Sequence, residues 1–117
     1  LPKRMPYHVA MELLLTGRWM SASEAARWGV VNEVLPDDES VRARAWETAR
    51  LLASGPPLVF AAIKETARVA ESLRFQEAMD LVTTSKLPTV ARLYTSEDNL
   101  EGFKAFTEKR KPVWKGR

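Results

Sequence analysis

The residue types able to do chemistry are concentrated in one stretch, Ser96 to Arg117. Residues 101–117 carry six cations (Lys104, Lys109, Arg110, Lys111, Lys115, Arg117) against two glutamates, a balance of +4 in a chain whose formal charge is +3. The rest of the chain therefore sums to −1, and the basic character belongs to this end. Phe103, Phe106 and Trp114 are interleaved with the cations. Cations attract phosphates, and aromatic faces stack on bases, so the stretch suits an anionic, ring-bearing partner. The plainer reading of the same residues is a solvated helix end whose cations complement the helix dipole.

Nothing else in the sequence resembles a self-contained active site. There is one histidine, His8, and no cysteine, which excludes disulfides, thiol catalysis and Cys-based metal sites. No second His supports a triad or a metal centre, and no pair of acids sits in apolar surroundings that would raise a pKa. Asp37-Asp38-Glu39 and Glu97-Asp98 read as solvated helix caps, and His8 as structural. Of the five glycines, Gly17, Gly29 and Gly55 follow apolar segments as helix stops. Gly102 and Gly116 lie in the tail, so none remains for a phosphate-cradling loop. Catalytic residue, metal site and resident cofactor are each expected to be absent. No apolar run approaches the ~20 residues of a membrane span and no leader is visible, so a cytoplasmic protein without a membrane partner is expected.

The elements that must position the tail read as helices. At 117 residues the chain fits one domain with a modest core. Met5 to Thr16 is apolar over most of its circumference and should be buried on several sides before the Gly17 stop. Ser21-Ala22-Ser23-Glu24 matches a capping box and opens a short helix ending at Gly29. Trp19 and Trp28, before and within it, are expected to pack rather than catalyse. Val30 to Leu35 is the only β-branched run, read as one short extended segment without a ladder partner in the chain. Asp37 and Asp38 cap a helix to about Ser54, with Val41, Ala45, Ala49, Leu52 and Ala53 on one face. Pro57 opens a helix to about Ser72 carrying Phe60, Ile63, Ala67 and Ala70. Another runs from about Arg74 to Lys86, after which Pro88 precedes a short turn holding Val90, Leu93 and Tyr94. The tail helix is capped by Ser96, carries Leu100, Phe103 and Phe106 as an apolar stripe, and ends in Lys109-Arg110-Lys111 before Pro112. The chain is expected to be all-α.

The order S-E-D-x-x-E-G-x-x-A-F-x-E-K-R-x-P-x-W-x-G-R from Ser96 to Arg117 resembles the C-terminal signature of the crotonase (enoyl-CoA hydratase/isomerase) superfamily. Leu1-Pro2-Lys3-Arg4, Leu15-Thr16-Gly17-Arg18, Ser21 to Val34, and Gly55-Pro56-Pro57 with Ala62-Ile63-Lys64 resemble further landmarks in the same order. The opening, the break at Pro88 and the P-V-W-K-G-R ending are similar to the carnitinyl-CoA dehydratase branch. The resemblance spans residues 1–117 but only about the C-terminal ~45% of a family member. It implies the helical, trimerising region of a β/α spiral fold, with oxyanion-hole amides and catalytic glutamates in an upstream domain. It also implies closure over the adenine end of coenzyme A, carried by the thioester substrate rather than as a cofactor. The family's tail phenylalanine and the lysine three residues on fall on Phe106 and Lys109, while an earlier aromatic contact falls near Val90 and is missing here.

Three functions are thus in play. The first is a region of an acyl-CoA hydratase/dehydratase acting on crotonobetainyl-CoA or carnitinyl-CoA, in a homo-oligomer that is a trimer or a dimer of trimers. The second is a non-catalytic helical module that covers its apolar faces by self-association. The third, a nucleic-acid binder, is the weakest, because the basic cluster lies at a helix end rather than along a face; no nucleic-acid partner is expected.

Overall fold

The computed structural model describes residues 3–117; the Leu1 and Pro2 part of the opening motif lies outside the described residues. Seven helices follow one another: α1 (Tyr7–Thr16), α2 (Ala22–Arg27), α3 (Asp38–Ala53), α4 (Pro57–Ala70), α5 (Phe75–Thr83), α6 (Pro88–Tyr94) and α7 (Glu97–Thr107). No strand occurs among the described residues, and Val30–Leu35, expected to be extended, is a series of bends and coil. Without a neighbouring strand its amides gain nothing from extension. Val30 instead donates to the Ala25 carbonyl at 2.8 Å, closing the C-terminus of α2 over a left-handed Gly29. No helix among the described residues is long and apolar enough to cross a membrane.

The chain divides into two compact units, Leu1–Thr48 and Ala49–Arg117. In the first, Met5, Val9 and Ala10 form a small core against Leu13, Met20, Trp28 and Val30. Arg18 ties α1 to α2, reaching Glu12 at 2.6 Å and Glu24 at 2.8 Å. The Ser21 side chain caps α2 by accepting from the Glu24 amide, and Asp37 caps α3 by accepting from the Ser40 amide at 2.7 Å. His8 meets Trp28 edge-on at 6.5 Å, consistent with a structural role. Two expectations fail here. Trp19 does not pack, being 96% exposed, and α1 buries only Val9 and Ala10 while Leu15 is 77% exposed.

In the second unit the core is Ala62, Leu87 and Val90, with Val69, Leu81, Val82 and Leu93 packed around it. The inward face of α4 is therefore Leu58 and Ala62, and Ile63 points to solvent. The Val90–Tyr94 segment is a helix rather than a turn, because Pro88 stands at its first position, where a missing amide proton costs nothing. Glu65 of α4 completes that start by accepting from both the amide (3.0 Å) and the hydroxyl (2.5 Å) of Thr89. The C-terminal end of α5 closes over a left-handed Ser85, with Lys86 donating to Leu81 at 3.0 Å.

Candidate functional site

The tail helix is shorter than its composition suggests. Ser96 caps α7 by accepting from the Asn99 amide at 3.1 Å. At the other end the helix stops at Thr107, and Lys109 adopts the left-handed conformation (φ +53°). Lys109 N–H donates to Phe106 at 3.3 Å and Arg110 N–H to Ala105 at 3.1 Å, the paired closure of a Schellman motif. Lys109, Arg110 and Lys111 thus lie beyond the helix rather than in its last turn. Phe106 and Lys109 are not neighbours on a helix face; they are joined through the backbone bond of the helix stop.

The face that α7 turns inward is also not the one its large residues suggested. Asp98 and Ala105 are each 3% exposed, and Gly102 lies between them on the same side. The Leu100–Phe103–Phe106 stripe faces outward, with Phe103 68% and Phe106 86% exposed. Small residues face inward because the chain's own continuation occupies that side. Residues 110–117 return along α7, and the Trp114 ring passes over Gly102, where an added Cβ would lie 3.6 Å from it.

Carboxylates hold this strap. Asp98 accepts from the amides of Lys115 at 2.7 Å and Gly116 at 2.9 Å, while its own amide donates to Arg117 at 3.2 Å. Glu101 accepts from the two terminal nitrogens of Arg110 at 2.5 and 2.9 Å, and from the Val113 amide at 2.8 Å. These bonds hold the Glu101 carboxyl well below the usual carboxylate range, at about 2, with Arg110 the larger cause. Glu97 lies within 3.0 Å of the Lys115 ammonium, which lowers its pKa as well. Arg92 of α6 donates to the Gly116 carbonyl at 3.0 Å. Asp98, expected as a solvated cap, is therefore a buried structural acid. Its spacing with Gly102 and Ala105 (i, i+4, i+7) was the available signal.

Beside the strap lies an apolar groove of about 340 Å³, with Leu58, Leu93, Phe103, Phe106 and Trp114 among its walls. Phe106 lines this groove; Lys109 does not. Of the six cations, Arg110, Lys115 and Arg117 are engaged with Glu97, Glu101 and Glu108. Lys109 and Lys111 are exposed and have no ion pair among the described residues. The described residues contain no group of His, Cys, Asp and Glu able to hold a metal. The site thus presents an aromatic wall, with the Lys109 cation just past the end of the helix that carries Phe106.

The family described as enoyl-CoA hydratase/isomerase matches residues 1–117. The chain is 44% identical over its full length to the carnitinyl-CoA dehydratases of Proteus mirabilis and Salmonella typhimurium, and it spans 44% of the length of each. Its fold is similar to an enoyl-CoA hydratase of Mycobacterium marinum (TM-score 0.84, 34% identity, 100% of this chain and 44% of that one). It is also similar to one from Bacillus anthracis (TM-score 0.86, 30% identity, 99% and 43%). With the whole of its sequence matched and its helices superposing on solved relatives, the chain belongs to the enoyl-CoA hydratase/isomerase family.

Proposed function

We propose that this chain is the coenzyme-A-facing helical region of an acyl-CoA hydratase/dehydratase that interconverts crotonobetainyl-CoA and carnitinyl-CoA. The relatives named carnitinyl-CoA dehydratase support the substrate pair, at 44% identity across residues 1–117. The observation that carries the site is the exposure of Phe106 beside an apolar groove, with Lys109, which has no ion pair among the described residues, held in a left-handed turn just beyond it. A non-glycine residue in that conformation costs of order 1 kcal/mol and persists where something else requires it. Phe106 offers a ring for the adenine and Lys109 a cation for a phosphate.

The chemistry of the hydration falls to carboxylates and oxyanion-hole amides outside this chain, in the upstream domain of the longer protein. The 117 residues alone therefore give the buffer rate in a crotonobetainyl-CoA hydration assay; a rate abolished by a substitution in this chain would contradict that. In the full-length enzyme Lys109→Ala raises KM for the CoA ester several-fold to about tenfold and leaves kcat nearly unchanged, because the contact is equal in ground and transition states. Lys111→Ala serves as the control. Equal effects of the two, or a fall in kcat alone, would leave only a diffuse basic end.

Self-association accompanies this reading rather than replacing it. Leu15 and Trp19 in the first unit, and Leu51 in the second, are exposed apolar side chains that a homo-oligomer would cover. A trimer or a dimer of trimers is expected in sedimentation across a concentration series. A sharp monomer would remove this part of the proposal.

A further inference from the structure

We infer that Asp98 is a positioning residue: it latches the strap of residues 110–117 onto α7 and so builds, through Trp114, one wall of the groove that carries Phe106. This rests on the reading of the groove as a coenzyme A contact, and it assigns a role to residues that do not themselves touch the ligand.

The strap has little apolar anchorage of its own. Pro112, Val113 and Lys115 are exposed, and only Trp114 and Gly116 are partly covered. Its seating depends on polar bonds, and these differ in kind. Glu97 makes an exposed ion pair, and Glu101 adds the Val113 amide to its pair with Arg110, but both carboxylates are partly exposed and open to competition from water and salt. Asp98 alone is buried, and it is satisfied by two consecutive strap amides. Those amides belong to the two residues that follow Trp114, so they set the height of the indole over Gly102. Both amides would be left unpaired against α7 if the acceptor were lost, and an unsatisfied buried donor costs more than a lost surface contact.

Asparagine replaces one acceptor oxygen by a donor and keeps the shape. In full-length protein, Asp98→Asn is expected to speed tryptic release of the peptide beginning at Arg110 or Lys111 by about tenfold or more, as for a lost bond to a charged group. Tryptophan emission shifts to the red, and the shift vanishes when Trp114→Phe is added. The Kd for coenzyme A by calorimetry rises in parallel. Ser21→Ala, which removes the α2 cap in the other unit, lowers Tm while moving none of the three readouts; this separates positioning from general loss of stability.

Unchanged release and emission in Asp98→Asn would overturn the latch. Strap release with an unchanged Kd would overturn the link from strap to groove while leaving Phe106 and Lys109 as the contact. If wild-type protein fails to bind coenzyme A, the proposed function falls with the binding role of Trp114, and the latch is decided by release and emission alone. Should Asp98→Asn not fold, Trp114→Ala tests the same wall: weaker coenzyme A binding supports it, and an unchanged Kd overturns it.

Discussion

Glu101 clasps Arg110 across the helix stop, its two oxygens meeting the two terminal nitrogens of one guanidinium at 2.5 and 2.9 Å. The pairing turns the chain back on itself immediately after the left-handed Lys109. It also converts a cation that composition would assign to solvent or ligand into part of the fold.

This relationship has a pH signature. The folded-state pKa of Glu101 is depressed to about 2, first by Arg110 and then by the Val113 amide, whereas an unfolded glutamate titrates near ~4.3. A depressed folded pKa stabilises fully above the unfolded value and is lost as pH falls through the folded one. The strap should loosen between about pH 4.5 and 2, and Glu97, lowered mainly by Lys115, contributes in the same direction. Trp114 emission followed through acid titration checks this. Glu101→Gln should already be loosened at neutral pH and lose most of the acid-dependent change; a profile identical to wild type would remove Glu101 as the cause.

Lys109 allows structure and binding to be separated by choice of substitution. Glycine at a left-handed helix stop relieves the side-chain penalty, so Lys109→Gly should raise stability by about 0.5–1 kcal/mol. Lys109→Ala keeps the backbone cost and should not. Both remove the cation, so both should raise KM for the CoA ester alike. A Lys109→Gly enzyme that is more stable yet binds as well as wild type would show that the lysine serves only the turn.

Much of the fold was legible because it is written locally. Ser21, Asp37 and Ser96 cap helices as their types and spacing require, and Gly17 and Gly29 stop helices with positive φ. What was not legible depended on partners distant in sequence. The Leu100–Phe103–Phe106 stripe looks like an inward face to any periodicity argument. The side that is buried is chosen by Trp114 folding back over Gly102, a contact that local pattern cannot encode. Asp98 was misread for the same reason: an acid in a first helical turn normally serves the dipole in solvent, and only the returning Lys115 and Gly116 amides make it a buried one. The Lys109 stop was missed because a helix-favouring lysine occupies a position where glycine is the usual signal.

Glu65 gives a test of how α4 and α6 are held together. It is the side chain that joins α4 to the start of α6, through both donors of Thr89. Removing it leaves the Thr89 amide, one of the free donors of the helix start, without its acceptor. Glu65→Ala should lower stability, and Glu65→Gln, whose carbonyl oxygen can still accept from Thr89, distinctly less. Denaturant unfolding of the two variants checks the order; equal costs would mean that charge rather than hydrogen bonding is what Glu65 supplies.

Phe106 carries the sharpest prediction, because its burial has been settled in an unexpected direction. A phenylalanine packed in a core loses about 3–5 kcal/mol when cut to alanine. Phe106 is 86% exposed, so Phe106→Ala should change stability by no more than about 0.5 kcal/mol, as for a surface substitution. The neighbouring Ala105 is the contrast: at 3% exposure, Ala105→Leu should overpack the α7 interface and cost about 1–3 kcal/mol. With stability thus intact, any rise in KM for the CoA ester in Phe106→Ala must come from the lost ring contact itself. A KM raised several-fold at unchanged Tm is the expected result. A large fall in Tm would mean that another copy or segment of the enzyme covers Phe106, and that the ring belongs to an interface instead of the coenzyme A contact.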